Sequence, residues 1–292
     1  MTSVTPTRHR PFGVWVPAPI PPEQASQIEQ LGYSALWVGA NPPAELNFVE
    51  PILHATDHLV VATGVVNIWA APADRVAESY HRIENAYPGR FLLGIGVGHR
   101  EHTSEYRNPY QAMTKYLDEL DAAGVPARHR LIAAMGPKML RLAATRSAGT
   151  HPALSTVGHN IVARAAIGPF PVIAPIQSVL LTDDKVAGRA AGRQLAGSYL
   201  KLENYVKNWR RLGFTQDDVA PGGSDRLVDA LLAHGSAEDV ALRLYSHLAS
   251  GADHVVVQVF TGGREFLPTL TQLALALDVT AQHTVTAHRS ST

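Results

Sequence analysis

Residues 87–99 read YPGRFLLGIGVGH, and this stretch decides the fold. Tyr87-Pro88-Gly89 stops a helix, because proline lacks an N–H and glycine accepts the backbone angles of a tight turn. Phe91 to Ile95 then reads as a short buried strand. It opens into alternating glycines, Gly94, Gly96 and Gly98, and ends on His99, with Glu101 and His102 just beyond. Glycine lets a backbone approach a ligand closely, and bare N–H groups at a following helix N-terminus hold anions. The segment predicts a cofactor seat with a proton donor at its rim. A dinucleotide fingerprint needs G-x-G-x-x-G in the first βα unit with an acidic residue about 20 positions on. Here the spacing is G-x-G-x-G, well inside the chain. Spacing alone leaves open both a phosphate or flavin-like seat and a plain strand-to-helix turn.

Working outward, strand-like and helix-like segments alternate. Strands are expected at Phe12–Pro17, Ala35–Val38, Leu59–Val66, Phe91–Val97, Arg130–Met135, His151–Ser155, Val172–Leu181 and Ala252–Phe260. Helices are expected from Pro21 to Gly32, Phe48 to Thr56, Pro72 to Tyr87, Tyr110 to Ala123 and Pro137 to Ser147, with a last one ending at Leu277. Eight apolar strands separated by helices predict an α/β fold of the (β/α)8 TIM-barrel type, with an open doubly wound sheet as the alternative. A helical insertion, about residues 183–251, separates strands seven and eight. It holds three helical stretches, including a long one from Lys185 to about Leu212. Residues 11–280 read as one barrel domain, residues 1–10 as a disordered lead and residues 281–292 as a flexible tail.

At 292 residues the chain suits one such barrel, and 46% hydrophobic content is ample for a buried parallel sheet. Twenty-five basic residues balance twenty-five acidic ones, so nothing draws the protein to nucleic acid or an anionic membrane. No run approaches the roughly 18 apolar residues of a membrane helix, and the polar N-terminus lacks the apolar region of a signal peptide. With no cysteine there is no disulfide, thiolate metal site or cysteine nucleophile. A cytoplasmic enzyme acting on a small molecule is the expectation.

In such barrels chemistry gathers at the C-terminal ends of the strands. Ala134-Met135-Gly136-Pro137-Lys138 ends a strand and starts a helix with Gly-Pro, leaving N–H groups free for an anion. Lys138 either adds a charge there or is an ordinary surface lysine. Thr63-Gly64-Val65-Val66-Asn67 ends strand three with a permissive glycine and a polar residue where core is expected, a feature of strand-end bulges at sites as well as of simple turns. His99 suits proton transfer near neutrality, with His102 and Glu101 as alternates and His151 as a weaker candidate. His234, His247 and His283 read as helix residues. The histidines form no metal box, and no hydrolase or kinase motif is present.

YPGRFLLGIGVGH resembles the strand-four signature of the luciferase-like monooxygenase superfamily, and is most similar to its oxidoreductases that use the deazaflavin coenzyme F420. VVATGVVNIWAAPADRVAE resembles that family's third strand and helix, and LIAAMGPKMLRLAA its phosphate-side strand and helix. LENYVKNWRRLGFT, GGSDRLVDALLAHG and GADHVVVQV resemble the insert and last strand of one subfamily. The resemblance implies a luciferase-like barrel, often dimeric, with the coenzyme ring in its mouth. It implies a non-proline cis peptide at Gly64–Val65 beneath the ring, with Asn67 beside it. Gly96, Val97, Gly98 and His99 would line ring and tail, and Ala134, Met135, Gly136 and Lys138 would hold the phosphate end. Sugar-oxidising relatives carry a glutamate where His99 stands, so His99 would take the proton role.

The chain also departs from the family. Gly39-Ala40-Asn41 replaces the acidic residue and histidine that end strand two in many relatives, and Ala148 and Ala153 replace an aspartate and an aromatic. The leading expectation is F420-dependent hydride transfer with a small organic substrate, with Trp37 and Trp69 as candidate walls of the substrate pocket. The alternatives are an FMN-dependent two-component monooxygenase and a non-catalytic cofactor-binding homologue.

Overall fold

A computed structural model describes residues 11–103, 106–260 and 265–279. The expected lead and tail, and His283, lie outside the described residues. In chain order the elements are β1 Phe12–Val16, α1 Pro22–Gln30, β2 Ala35–Val38, α2 Val49–His54, β3 Val60–Thr63, β4 Val66–Asn67, α3 Ala73–Ala86, β5 Phe91–Gly96, α4 Pro109–Ala122, β6 Arg130–Ile132, α5 Pro137–Arg146 and β7 Gly149–Thr150. There follow α6 Val157–Ile167, β8 Val172–Ile173, β9 Ile176–Leu181, α7 Lys185–Tyr199, α8 Glu203–Arg211, α9 Asp225–Leu231, β10 Leu232–Gly235, α10 Ala237–Ala249, β11 Val255–Val259 and α11 Leu267–Ala276.

Every strand pair is parallel. Only Ala174-Pro175 separates β8 from β9, and the two act as one strand with a break. Its Ala174 and Ile176 N–H groups donate to Thr150 and Pro152 carbonyls at 2.9 Å, while its Pro175 carbonyl accepts from Val256 N at 2.9 Å. Residues 172–181 therefore join β7 to β11 and close the barrel. Closure satisfies the backbone polar groups that an open parallel sheet would leave at its edges.

Three expectations shift. The third strand is interrupted at Gly64–Val65, whose peptide bond is cis, and resumes as β4 beside β5. The sixth strand is Gly149–Thr150, and 151–155 is loop rather than strand. The insert is not wholly helical. Its long helix breaks at residues 200–202, and Leu232–Gly235 pairs with β9, so His234 sits on a strand. That strand occupies the side of β9 that the sixth strand has left.

Helix starts follow local chemistry. Pro109 sits at the first turn of α4, where its missing N–H costs nothing, and the Asn108 side chain accepts from Tyr110 and Gln111 N–H. Ser236 and Asp239 form a reciprocal capping box on α10. The Glu29 carboxylate accepts from the N–H groups of Asp57, His58 and Leu59, fixing the entry to β3. The largest apolar core lies between strands and helices, and each fully buried Val, Leu, Ile or Phe there contributes about 1.5–3 kcal/mol. A second core fills the barrel with Trp37, Leu92, Leu131 and Val256 among small residues. A third lies in the insert, around Tyr205, Trp209, Phe214 and Leu227.

Candidate active site

At the C-terminal ends of the strands opens a cavity of about 590 Å³. That volume is typical of small-molecule sites, which span roughly 300–1,000 Å³. A depression of about 610 Å³ beside Leu181, Gly235 and α11 is more open and lacks any of the glycine-loop residues. The barrel-mouth cavity is therefore the candidate site.

Its walls come from nearly every strand. Gly64, Val65 and Asn67 line it from the third strand, and Gly96, Val97, Gly98 and His99 from the fourth. Ala134, Met135 and Gly136 line it from the fifth. The sequence thus placed ten of its thirteen candidate residues around one space. Lys138 is exposed and is not among the lining residues. Glu101 is exposed too, and its carboxylate accepts from Glu203 N at 3.1 Å, tying the strand-four loop to the first turn of α8. The side chain of His102 lies outside the described residues.

The strand-four glycines serve the protein's own packing as much as any ligand. A Cβ at Gly94 would fall 1.9 Å from the Thr63 carbonyl oxygen, and one at Gly96 would fall 2.7 Å from Val65 Cγ2. Where the third strand bends away, Thr63 Oγ1 donates to Gly94 O and accepts from Gly94 N, both at 2.8 Å. Asn67 Oδ1 accepts from Trp69 N at 3.0 Å, and Trp69 Nε1 donates to Val97 O at 2.7 Å. The two glycine-bearing strand ends are thereby locked together as one platform.

Trp15 was not foreseen. It ends the first strand, lines the cavity, and donates from Nε1 to Gly64 O at 3.1 Å. A Cβ at Gly39 would lie 2.1 Å from its ring. Gly39 is therefore required by the indole, which fills the space beside the strand-two end. The sequence signal was an aromatic at a strand end facing a glycine at the next, which only strand register reveals. Trp37 and Trp69 are not cavity walls. Trp37 is fully buried inside the barrel, donating to His254 Nε2, because its strand position points inward below the mouth. Trp69 is turned away by its bond to Val97.

His151 stacks on Trp37 with ring centroids 4.0 Å apart. Its Nδ1 bonds the Ala174 carbonyl at 2.7 Å, and a carbonyl only accepts, so Nδ1 carries the proton. Burial, partly offset by that bond, lowers the His151 pKa to about 4. His99 is half-buried, and its ring lies 5.5 Å from that of Tyr205. Tyr205 packs against Tyr199 and Trp209, so an aromatic wall from the insert faces the strand-four loop. Burial holds the Tyr205 hydroxyl far above its usual pKa, so it stays a neutral donor.

The insert also supplies charge. Lys207 and Arg211 line the cavity from the exposed face of α8. Arg211 Nη2 lies 3.9 Å from where a Gly136 Cβ would stand, over the start of α5. The first turn of α6 has no side-chain cap, and the buried Ser155 Oγ beside it has no partner among the described residues. These cations were legible only as the amphipathic stretch ENYVKNWRR, with no indication of which face meets the mouth.

Residues 21–123 match the model of the luciferase-like monooxygenase family. No curated protein matches the chain significantly. Solved structures match nearly its whole length. An F420-dependent secondary alcohol dehydrogenase, solved with an F420–acetone adduct, is 13% identical over 93% of this chain and 99% of that one, with a TM-score of 0.70. The coenzyme F420 dependent tetrahydromethanopterin reductase of Methanopyrus kandleri is 13% identical over 92% and 98%, with a TM-score of 0.65. The oxygenating constituent of 3,6-diketocamphane monooxygenase from Pseudomonas putida, solved with FMN, is 14% identical over 92% and 96%, with a TM-score of 0.62. The family model thus spans the second to fourth barrel strands, and over its whole length the chain has the (β/α)8-barrel fold of these solved structures.

Proposed function

We propose that the protein is a coenzyme F420-dependent oxidoreductase acting on a small organic substrate in the cytoplasm, as a homodimer. The observation that carries this reading is the polarity of the cavity. The Val65 and Gly96–Gly98 platform is apolar, and the cations that line the cavity, Lys207 and Arg211, both stand on the insert helix α8. A neutral ring with an anionic tail fits that arrangement. Bound there, the coenzyme supplies two-electron hydride transfer at a ring carbon. The platform fixes the face of the ring, because Thr63, Asn67 and Trp69 hold its two strand ends rigid. Arg211 and the starts of α5 and α6 receive the phosphate end. Tyr205 and Tyr199 exclude water above His99, whose imidazole moves the proton that accompanies the hydride. Exposed apolar side chains on and beside α6, Ile161, Val162 and Phe170, support pairing with a second copy.

The test is an anaerobic fluorescence titration comparing oxidised deazaflavin coenzyme with FMN. Micromolar deazaflavin binding with much weaker FMN binding is expected. FMN preference with oxygen uptake on turnover would make the protein a flavin monooxygenase, and binding of neither would make it a non-catalytic homologue. His99→Ala should lower kcat by about 100-fold or more while leaving coenzyme affinity within about threefold. Unchanged turnover in that variant would remove His99 from the proton role.

A further inference from the structure

The deep end of the cavity holds a polar atom that no part of the function above employs. His151 is 1% exposed, and its Nε2 has no hydrogen-bond partner among the described residues. Because Nδ1 holds the proton against the Ala174 carbonyl, Nε2 bears a lone pair and can only accept. The stacking on Trp37 from below fixes the plane of the ring. On the cavity side, Nε2 faces Gly64, where a Cβ would come within 3.0 Å of it and within 3.2 Å of Trp15. No Cβ stands at Gly64 to cover Nε2, and the Trp15 indole lies beside it.

The rest of this floor is apolar or neutral. Ile176, Ala153 and the Trp15 ring are among the residues lining the same cavity, and Gln258 adds a neutral polar group to it. The Gln258 carboxamide oxygen accepts from Ser178 Oγ at 2.8 Å, which turns its NH₂ away from that bond. No carboxylate, lysine or arginine of the described residues reaches the floor, and the cations stand at the insert rim. A buried acceptor left unsatisfied is costly, and native proteins keep such atoms paired with water or ligand.

We propose that His151 Nε2 is the substrate's anchor, and that the substrate is an uncharged molecule with an apolar body and a hydroxyl or N–H donor, which His151 accepts beneath Trp15. This deepens the oxidoreductase reading and rests on the same cavity being the substrate site. His151 is a fixed acceptor rather than a proton shuttle, since it stays neutral at physiological pH. A site built to accept a hydrogen bond rejects isosteres that lack the donor, because the acceptor is then buried unpaired.

The test uses the full chain without coenzyme, so its outcome is independent of which coenzyme binds. Cyclohexanol and methoxycyclohexane share a body and differ in the donor, and their binding can be followed by saturation-transfer NMR and tryptophan quenching. Wild type should bind cyclohexanol at least about tenfold more tightly than the ether. His151→Phe, which keeps a ring on Trp37, should abolish the preference while leaving ether binding within about twofold. Equal binding in wild type, or a preference that survives in His151→Phe, would overturn the proposal. If that variant does not fold, imidazole ¹⁵N spectra of the wild type decide. One unprotonated His151 nitrogen should persist from about pH 5 to 8 and shift on adding cyclohexanol, and no shift would overturn it. With deazaflavin added, cyclohexanol should bind alongside it; displacement by the coenzyme would assign Nε2 to the coenzyme ring and overturn the substrate role. Failure of deazaflavin to bind at all, with the cyclohexanol preference intact, would instead count against the coenzyme reading alone.

Discussion

The floor of the cavity is made by Trp15, Gly64, His151 and Gln258, each on or just beyond a barrel strand, whereas the rim opposite is made by Asn204, Lys207 and Arg211 on one insert helix. The floor is neutral, with His151 buried and the other three half-buried, and its positions are set by hydrogen bonds across strands. The rim residues are exposed and ride on a helix held to the strand-four loop through Glu101. Shape at the floor therefore comes from packing and hydrogen bonds between strands, while charge at the rim comes from side chains that water already solvates. A change at the floor should be felt as stability, and a change at the rim as affinity.

The largest expected effect is on the buried side. His151, His159 and His247 have folded pKa values lowered to about 4, 4 and 3, in each case chiefly by burial. Unfolded histidine titrates near 6.5. The neutral forms thus stabilise the fold fully above about pH 6.5. That stability is lost as pH falls toward 4, at about 1.4 kcal/mol per pH unit for each histidine. Urea midpoints measured from pH 7 to 5 should fall steeply, and a flat profile would mean that these rings take up protons without unfolding. His247→Gln should reduce the slope, since His247 bridges Asn160 and Gln177 inside the barrel wall.

Next comes the fit of Trp15 against Gly39. Gly39→Val should cost about 3 kcal/mol, at the upper end of overpacking, because the added side chain overlaps the indole that Gly64 O holds in place. Trp15→Ala added to it should recover part of the loss, which a double-mutant cycle in urea would measure. Additive costs would show that the two residues do not meet. On the rim, Arg211→Ala should weaken deazaflavin binding about tenfold, or about 1.4 kcal/mol, and flatten its salt dependence. Thermal stability should be almost untouched, and a large drop in melting temperature would break the contrast between floor and rim. The smallest effect is at Glu101→Ala, which leaves the first turn of α8 without its acceptor and should cost about 0.5–1 kcal/mol. Hydrogen exchange should report faster amides in α8 with little change in the barrel strands.

Much of this molecule is legible in the sequence. Buried parallel strands are continuous apolar runs, so Phe12, Ala35, Val60, Phe91 and Val255 each begin an element close to where the pattern put it. The glycine loop after strand four and the Gly-Pro start of α5 mark themselves locally, because unusual backbone needs unusual residues. The barrel rule then carried Gly64, Asn67, Gly96 and Ala134 to one end without any knowledge of contacts. These are properties of a few neighbouring residues, and neighbouring residues are what a sequence records.

Contacts between distant segments were decided only by the tertiary structure. Gly39 in sequence is a departure from a family pattern; in space it is the room that Trp15 occupies. His151 in sequence begins a strand; in space its Nε2 is a neutral acceptor, because its Nδ1–H donates to the carbonyl of Ala174, 23 residues away, and Trp37 covers its face. Lys138 follows Gly136 closely in sequence yet lies exposed outside the cavity, whereas Arg211, from the insert, stands over Gly136. Strand ends converge only when the sheet closes, and closure depends on pairing between residues as far apart as Pro175 and Val256. Local chemistry thus determined which elements form and where a ligand seat begins, while the closed barrel determined which side chains face one another across it.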